Sequence, residues 1–142
     1  MFQKALADPQ RFAETFTENL PRVFFLLLPA FALLLKLLYL RRGILYLDHL
    51  VFALHFHAFA FVVMGAAILI NEAGMPLPVA ATTGIAAWVW IFVYLFLALR
   101  AVYRDSRLKT GLRFAALLFL YGTVFGFSLF GLMMLTVYRL AS

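Results

Sequence analysis

The chain has 142 residues, is 66% hydrophobic and only 13% charged, and its formal net charge is +6. Water-soluble domains run to about 45–50% apolar and roughly 25% charged residues, so a chain this short cannot enclose that much apolar surface by itself and a bilayer must cover the rest. The basic balance does not indicate nucleic acid, which needs a solvated basic face, because the charges stand at the ends of apolar runs. The absence of cysteine excludes disulfides, thiol catalysis and thiolate metal sites.

The first element in chain order is "DPQRFAETFTENLP". Asp8 as N-cap with Pro9 at the first helical position starts a helix well. Phe12, Ala13, Phe16 and Leu20 recur at helical spacing while Arg11, Glu14 and Glu18 take other faces. Residues 1–20 therefore read as a short interfacial amphipathic helix lying on the membrane surface.

Residues 21–142 read as the transmembrane domain, with four apolar segments at about 23–40, 44–70, 79–103 and 112–138. Crossing the hydrocarbon core takes about 20 helical residues, and none of the segments alternates as barrel strands do. The fold class is an all-α membrane protein, a four-helix transmembrane bundle preceded by the interfacial helix. Pro29 should kink the first span, Lys36 should snorkel to its end, and Trp88 and Trp90 read as packing residues. A signal-peptide reading of the first segment fails, because its cationic residues follow the apolar run and no small-residue cleavage site is present.

Eight of the twelve Lys and Arg residues lie around the first and third connections, namely Lys36, Arg41, Arg42, Arg100, Arg104, Arg107, Lys109 and Arg113. Lys4, Arg11, Arg22 and Arg139 make up the other group. This asymmetry places the loops 41–43 and 104–111 in the cytoplasm and both termini outside. A start outside the cell without a preceding helix implies the back half of something longer.

Small residues mark helix contacts, since close backbone approach is a main source of association in lipid. They include Gly65, Ala66 and Ala67 in the second span, Ala80, Thr83, Gly84 and Ala87 in the third, and a GxxxG at Gly122 and Gly126 in the fourth. Packing within one bundle is the plainer reading of that GxxxG; a homodimer through it, or contact with another membrane protein, is the sharper one.

The stretch "LPRVFFLLLPAFALLLKLLYLRRGILYLDHLVFALHFHAF" resembles a family of uncharacterised bacterial inner-membrane proteins whose longer members begin with a small zinc ribbon. The features that carry it are "LLPAFALLLKLLY" (27–39), the acidic-His-Leu at 48–50 and the later "YLFLALRAVYRDSRLKTGLRF" (94–114). Neither zinc-ribbon cysteines nor an earlier span is present, so the chain looks like the C-terminal membrane half. The resemblance implies a bacterial inner-membrane location and supplies no activity.

All three histidines, His49, His55 and His57, fall beside Asp48 in "DHLVFALHFHAF". These four residues are the candidate polar site, for a ligand or a proton. A shared metal ion is disfavoured. His49 and His57 are about 12 Å apart along a helix, Asp48 and His55 about 10 Å, and His55 and His57 diverge by roughly 160°. Haem would need a second axial ligand from another helix, such as Met133 or Met134, which lie near the outer end of the fourth span. No cofactor or metal is expected. By helical rise, Asp48 and His49 stand near the cytoplasmic rim and His55 and His57 near the midplane. Asp48 is expected to pair with Arg100 or Arg41, because a lone carboxylate inside a span is costly. No nucleophile–base grouping, phosphate loop or carboxylate pair suggests an enzyme. The expected function is a non-enzymatic membrane component that binds a partner or a small solute. The alternative is a proton-coupled transporter or a haem-binding redox subunit using the histidines.

Overall fold

The computed structural model describes residues 8–141, which form four long helices joined by short turns. They are α1 (Pro9–Leu38), α2 (Tyr46–Glu72), α3 (Leu77–Tyr103) and α4 (Arg107–Ala141), with a single 3₁₀ turn at Leu40–Arg42 between the first two. Each is long and apolar enough to cross a membrane. At 1.5 Å per residue, the 27 residues of α2 and of α3 span about 40 Å.

The start of α1 follows from its sequence. Asp8 accepts a hydrogen bond from the backbone N–H of Arg11 at 3.1 Å, with Pro9 next to it in the first helical position. The helix then continues through Pro21 and Pro29 to Leu38. The interfacial helix and first span expected as separate elements are thus one helix within the described residues; residues 1–7 of the expected interfacial segment lie outside them. The reason is local. Asn19 and Arg22 bridge the junction through their side chains at 2.9 Å, and Asn19 also donates to the Thr15 carbonyl at 2.7 Å, so side-chain hydrogen bonds tie together the turns on either side of Pro21, which has no N–H of its own to donate. At the other end Lys36 reaches the Ile44 carbonyl in the first connection, in keeping with a side chain that extends toward the helix end.

Gly43 and Gly74 take positive φ values of 65° and 78° in the first and second connections, a conformation that costs glycine little. The third connection is shorter than expected. Ser106 caps α4, accepting from the N–H of Lys109 at 3.4 Å and, through its carbonyl, from that of Thr110 at 2.9 Å. Residues 107–111, read as loop, are therefore the first turns of α4.

Helix α1 packs against α2 and α4, and α3 against the same two, so the chain goes round the bundle in sequence order with antiparallel neighbours. The core is built on ridges four residues apart: Leu27, Phe31 and Leu35 from α1 with its C-cap Tyr39, and Ile91, Leu95, Leu99 and Tyr103 from α3, all buried. Phe52, Ala53 and Phe56 of α2 and Leu117 of α4 fill the space between. Of the small residues, Ala67 and Ala87 are buried in the bundle. Outside, large apolar side chains such as Phe25, Leu69, Phe119 and Phe127 are each more than two-thirds exposed. Apolar surface on that scale is lipid-facing surface. With four spanning helices, it marks a multi-pass membrane protein.

Two expectations about outward residues are corrected. Trp88 and Trp90 are 52% and 56% exposed and do not pack into the bundle; Trp88 instead stacks on Phe92 of its own helix with ring centroids 5.9 Å apart. Gly122 and Gly126 lie on the exposed face of α4, with no neighbouring atom within 4 Å of where a Cβ would stand. Packing inside the bundle does not account for this GxxxG, because α4 turns its Leu117 and Tyr121 face, not its glycine face, toward α1.

Candidate functional site

The polar stretch of α2 divides by helix face. His49 and His57 point inward, the first fully buried and the second nearly so, whereas Asp48 and His55 are exposed. Seven residues make 700° on an α-helix, about 20° short of two full turns, so Asp48 and His55 share a face. The depth along the helix had paired His55 with His57; the helical angle pairs it with Asp48.

Both inward histidines meet a tyrosine from another helix. His57 uses Nδ1 on the Ala53 carbonyl at 2.8 Å and Nε2 on the Tyr121 hydroxyl at 2.8 Å. A carbonyl can only accept, so Nδ1 carries the proton, Nε2 accepts, and the Tyr121 hydroxyl donates. Phe31 stands edge-on to both His57 and Tyr121, with centroids 5.1 and 4.9 Å away. This contact joins α1, α2 and α4 in the middle of the bundle. His49 Nδ1 lies 2.5 Å from the Tyr103 hydroxyl, and the Tyr103 ring stacks on Tyr39 at 3.7 Å. That second contact joins α1, α2 and α3 at the end of the bundle where the first and third connections lie.

Above it sits an ion-pair network. Asp105, whose side chain is 2% exposed, pairs with Arg42 of the first connection and Arg113 of α4. Arg42 also donates to the Tyr103 carbonyl at 3.0 Å, and the Arg113 guanidinium lies over the Tyr39 ring at 4.4 Å. The expected Asp48 pairing with Arg100 or Arg41 is not among the ion pairs of the described residues. Arg41 and Arg100 are exposed, and the carboxylate that gathers arginines is Asp105. Asp105 is the acid in "RDSRLK", where three cations surround it in sequence; an acid kept inside a basic connection was the available signal. Tyr39, Tyr103 and Tyr121 gave no comparable signal, because tyrosines are common in apolar spans.

The outward pair lies in a groove between α2 and α3. Asp48, Val51, Phe52, His55 and Phe56 line one side and Tyr94, Ala98 and Val102 the other, around a cavity of about 320 Å³. His55 Nδ1 donates to the Val51 carbonyl at 2.9 Å, which in the neutral ring leaves Nε2 as an acceptor. Asp48 stands in the first turn of α2, where the positive end of the helix dipole favours a carboxylate. Tyr94 is held by stacking on Phe59 at 3.7 Å. The groove thus offers apolar walls, a carboxylate near one end and an imidazole acceptor about 10 Å along the helix from it.

No family model matches the chain, and neither a curated protein nor a solved structure shows significant similarity to it.

Proposed function

We propose that the protein is a non-enzymatic component of a bacterial inner membrane that binds a small ligand from the bilayer in the groove between α2 and α3. One observation carries the reading: Asp48 has no ion-pair partner among the described residues, yet it shares a groove with His55 in an otherwise apolar wall. Ionisable groups in membrane-spanning segments are expensive and by default mark a site. His49 and His57 have structural partners in Tyr103 and Tyr121, which leaves Asp48 and His55 as the polar groups available to something outside the bundle. A volume of about 320 Å³ falls in the range of small-molecule pockets, roughly 300–1,000 Å³. A helix about 10–12 Å across is too wide for it.

The eight cations around the first and third connections support a cytoplasmic position for that end of the bundle, and the sequence resemblance supports the inner membrane. Ala98→Trp fills the groove from its α3 wall. Solvent extracts of the purified protein should then contain a small molecule, at a fixed ratio to protein, that is absent from extracts of the variant. Equal extracts from both proteins contradict the reading.

A further inference from the structure

We infer that the ligand of this groove is a single-chain amphiphile whose head is a protonated amine, seated with the amine on Asp48 and the chain along α2 and α3. The inference rests on the groove reading above and names the chemical class that reading leaves open.

Hydrogen-bond bookkeeping gives the head. Of the groove-lining side chains, Asp48 contributes carboxylate oxygens, and His55 contributes Nε2 as an acceptor because its Nδ1–H is committed to Val51. The Tyr94 hydroxyl can turn to donate or accept. Val51, Phe52, Phe56, Ala98 and Val102 offer no polar side-chain atom. Acceptors therefore dominate, one of them charged. An anionic or carbonyl head would face like charge or an unpaired lone pair, each costly where water is scarce, whereas an ammonium supplies up to three donors and the opposite charge.

The charge pattern sharpens this. The end of the bundle where Asp48 lies carries the eight cations of the first and third connections. The other carboxylate there, Asp105, is enclosed by Arg42 and Arg113. Asp48 is left as the exposed acid on a basic rim, and its nearest groove neighbours are apolar. Arg100 does not neutralise it, because positions 98 and 102 line the groove and position 100, some 200° round the helix from 98, turns away.

The body follows from shape. The lining positions of α2 run from 48 to 56 and those of α3 from 94 to 102, a length of about 12 Å for eight residues' rise. Aromatic and branched side chains form both walls, and 320 Å³ between two packed helices is a slot for one chain.

The chain's lack of cysteine allows a direct test with purified protein in detergent micelles. Val51→Cys puts the one thiol in the groove, and its rate of alkylation by N-ethylmaleimide is read with dodecylammonium, dodecanol or dodecanoate added at equal concentration. Leu69→Cys, on the lipid-facing surface at the far end of α2, is the control. Dodecylammonium is expected to slow alkylation at position 51 several-fold, to leave position 69 unchanged, and to lose its effect when Asp48→Asn is added. Equal protection by all three amphiphiles overturns the amine head and leaves the groove reading standing. Protection by none of them overturns both. Protection by dodecylammonium that survives Asp48→Asn overturns the role of Asp48. Equal protection by phosphatidylethanolamine, which has two chains and an amine, overturns the single-chain body.

Discussion

Phe31→Ala is expected to lower the stability of the bundle by about 3 kcal/mol, toward the low end of the range for burying an alanine in place of phenylalanine. Phe31 is 1% exposed and touches three rings at once: Phe56 stacked at 5.3 Å, and His57 and Tyr121 edge-on at 5.1 and 4.9 Å. Between helices in lipid there is no hydrophobic drive of the kind that operates in water, so close packing and interhelical hydrogen bonds hold the bundle. Removing the ring forfeits many dispersion contacts at once and frees the His57–Tyr121 pair from the wall that orients it. Unfolding in mixed micelles with rising dodecyl sulfate measures the loss. Phe127→Ala, 73% exposed, removes the same group from the outer surface and should change stability little. Equal losses at the two positions would contradict this account of the core.

The second large effect is expected at Asp105. Replacing it with alanine leaves Arg42 and Arg113, 41% and 29% exposed, close together without their shared counter-charge. Breaking a fully buried pair costs about 3–5 kcal/mol; partial exposure of both guanidiniums reduces the figure here to about 2 kcal/mol. The residue ties the first connection to the start of α4 and sits over the Tyr39–Tyr103 stack, so the damage should concentrate at that end of the bundle. Added salt should recover part of the loss by screening the two cations. Asp48→Ala is the control: with no ion pair to break, it should cost far less in the same micelle assay. A loss at Asp48 as large as at Asp105 would show that the sequence-based pairing of Asp48 describes the protein better than the network around Asp105.

Helices were legible because their signals are local. Apolar runs of spanning length and Asp8 before Pro9 each act within a few residues. The continuity of α1 was not legible, because Pro21 reads as punctuation unless Asn19 and Arg22 are known to bridge the junction. The facing of α2 was legible only in part. With its nearly uniform apolar composition, hydropathy does not distinguish the face toward α1 from the face toward lipid, so Asp48, His49, His55 and His57 were ordered by depth. Their 20° and 160° relations were computable from the helix repeat, but which angle points inward depends on Tyr103 and Tyr121, 54 and 64 residues away from their partners in sequence. Asp105 was hidden for a related reason. Its partners come from a connection 63 residues earlier and from a later turn of its own connection's helix. Trp88 and Trp90 show the opposite error, large aromatics assigned to packing when lipid surrounds the bundle and accepts them outside.

The division of one helix into an inward His49–His57 face and an outward Asp48–His55 face carries both the fold and the proposed site. Its most direct measurement is a nitroxide scan of single cysteines at positions 51 to 58 in bilayers, reading collision with dissolved oxygen, which concentrates among lipid chains. Positions 51, 54, 55 and 58 are exposed and should be accessible, whereas 52, 53, 56 and 57 are buried and should be shielded. An accessible position 57 with a shielded position 55, or a scan without helical periodicity, would contradict the account.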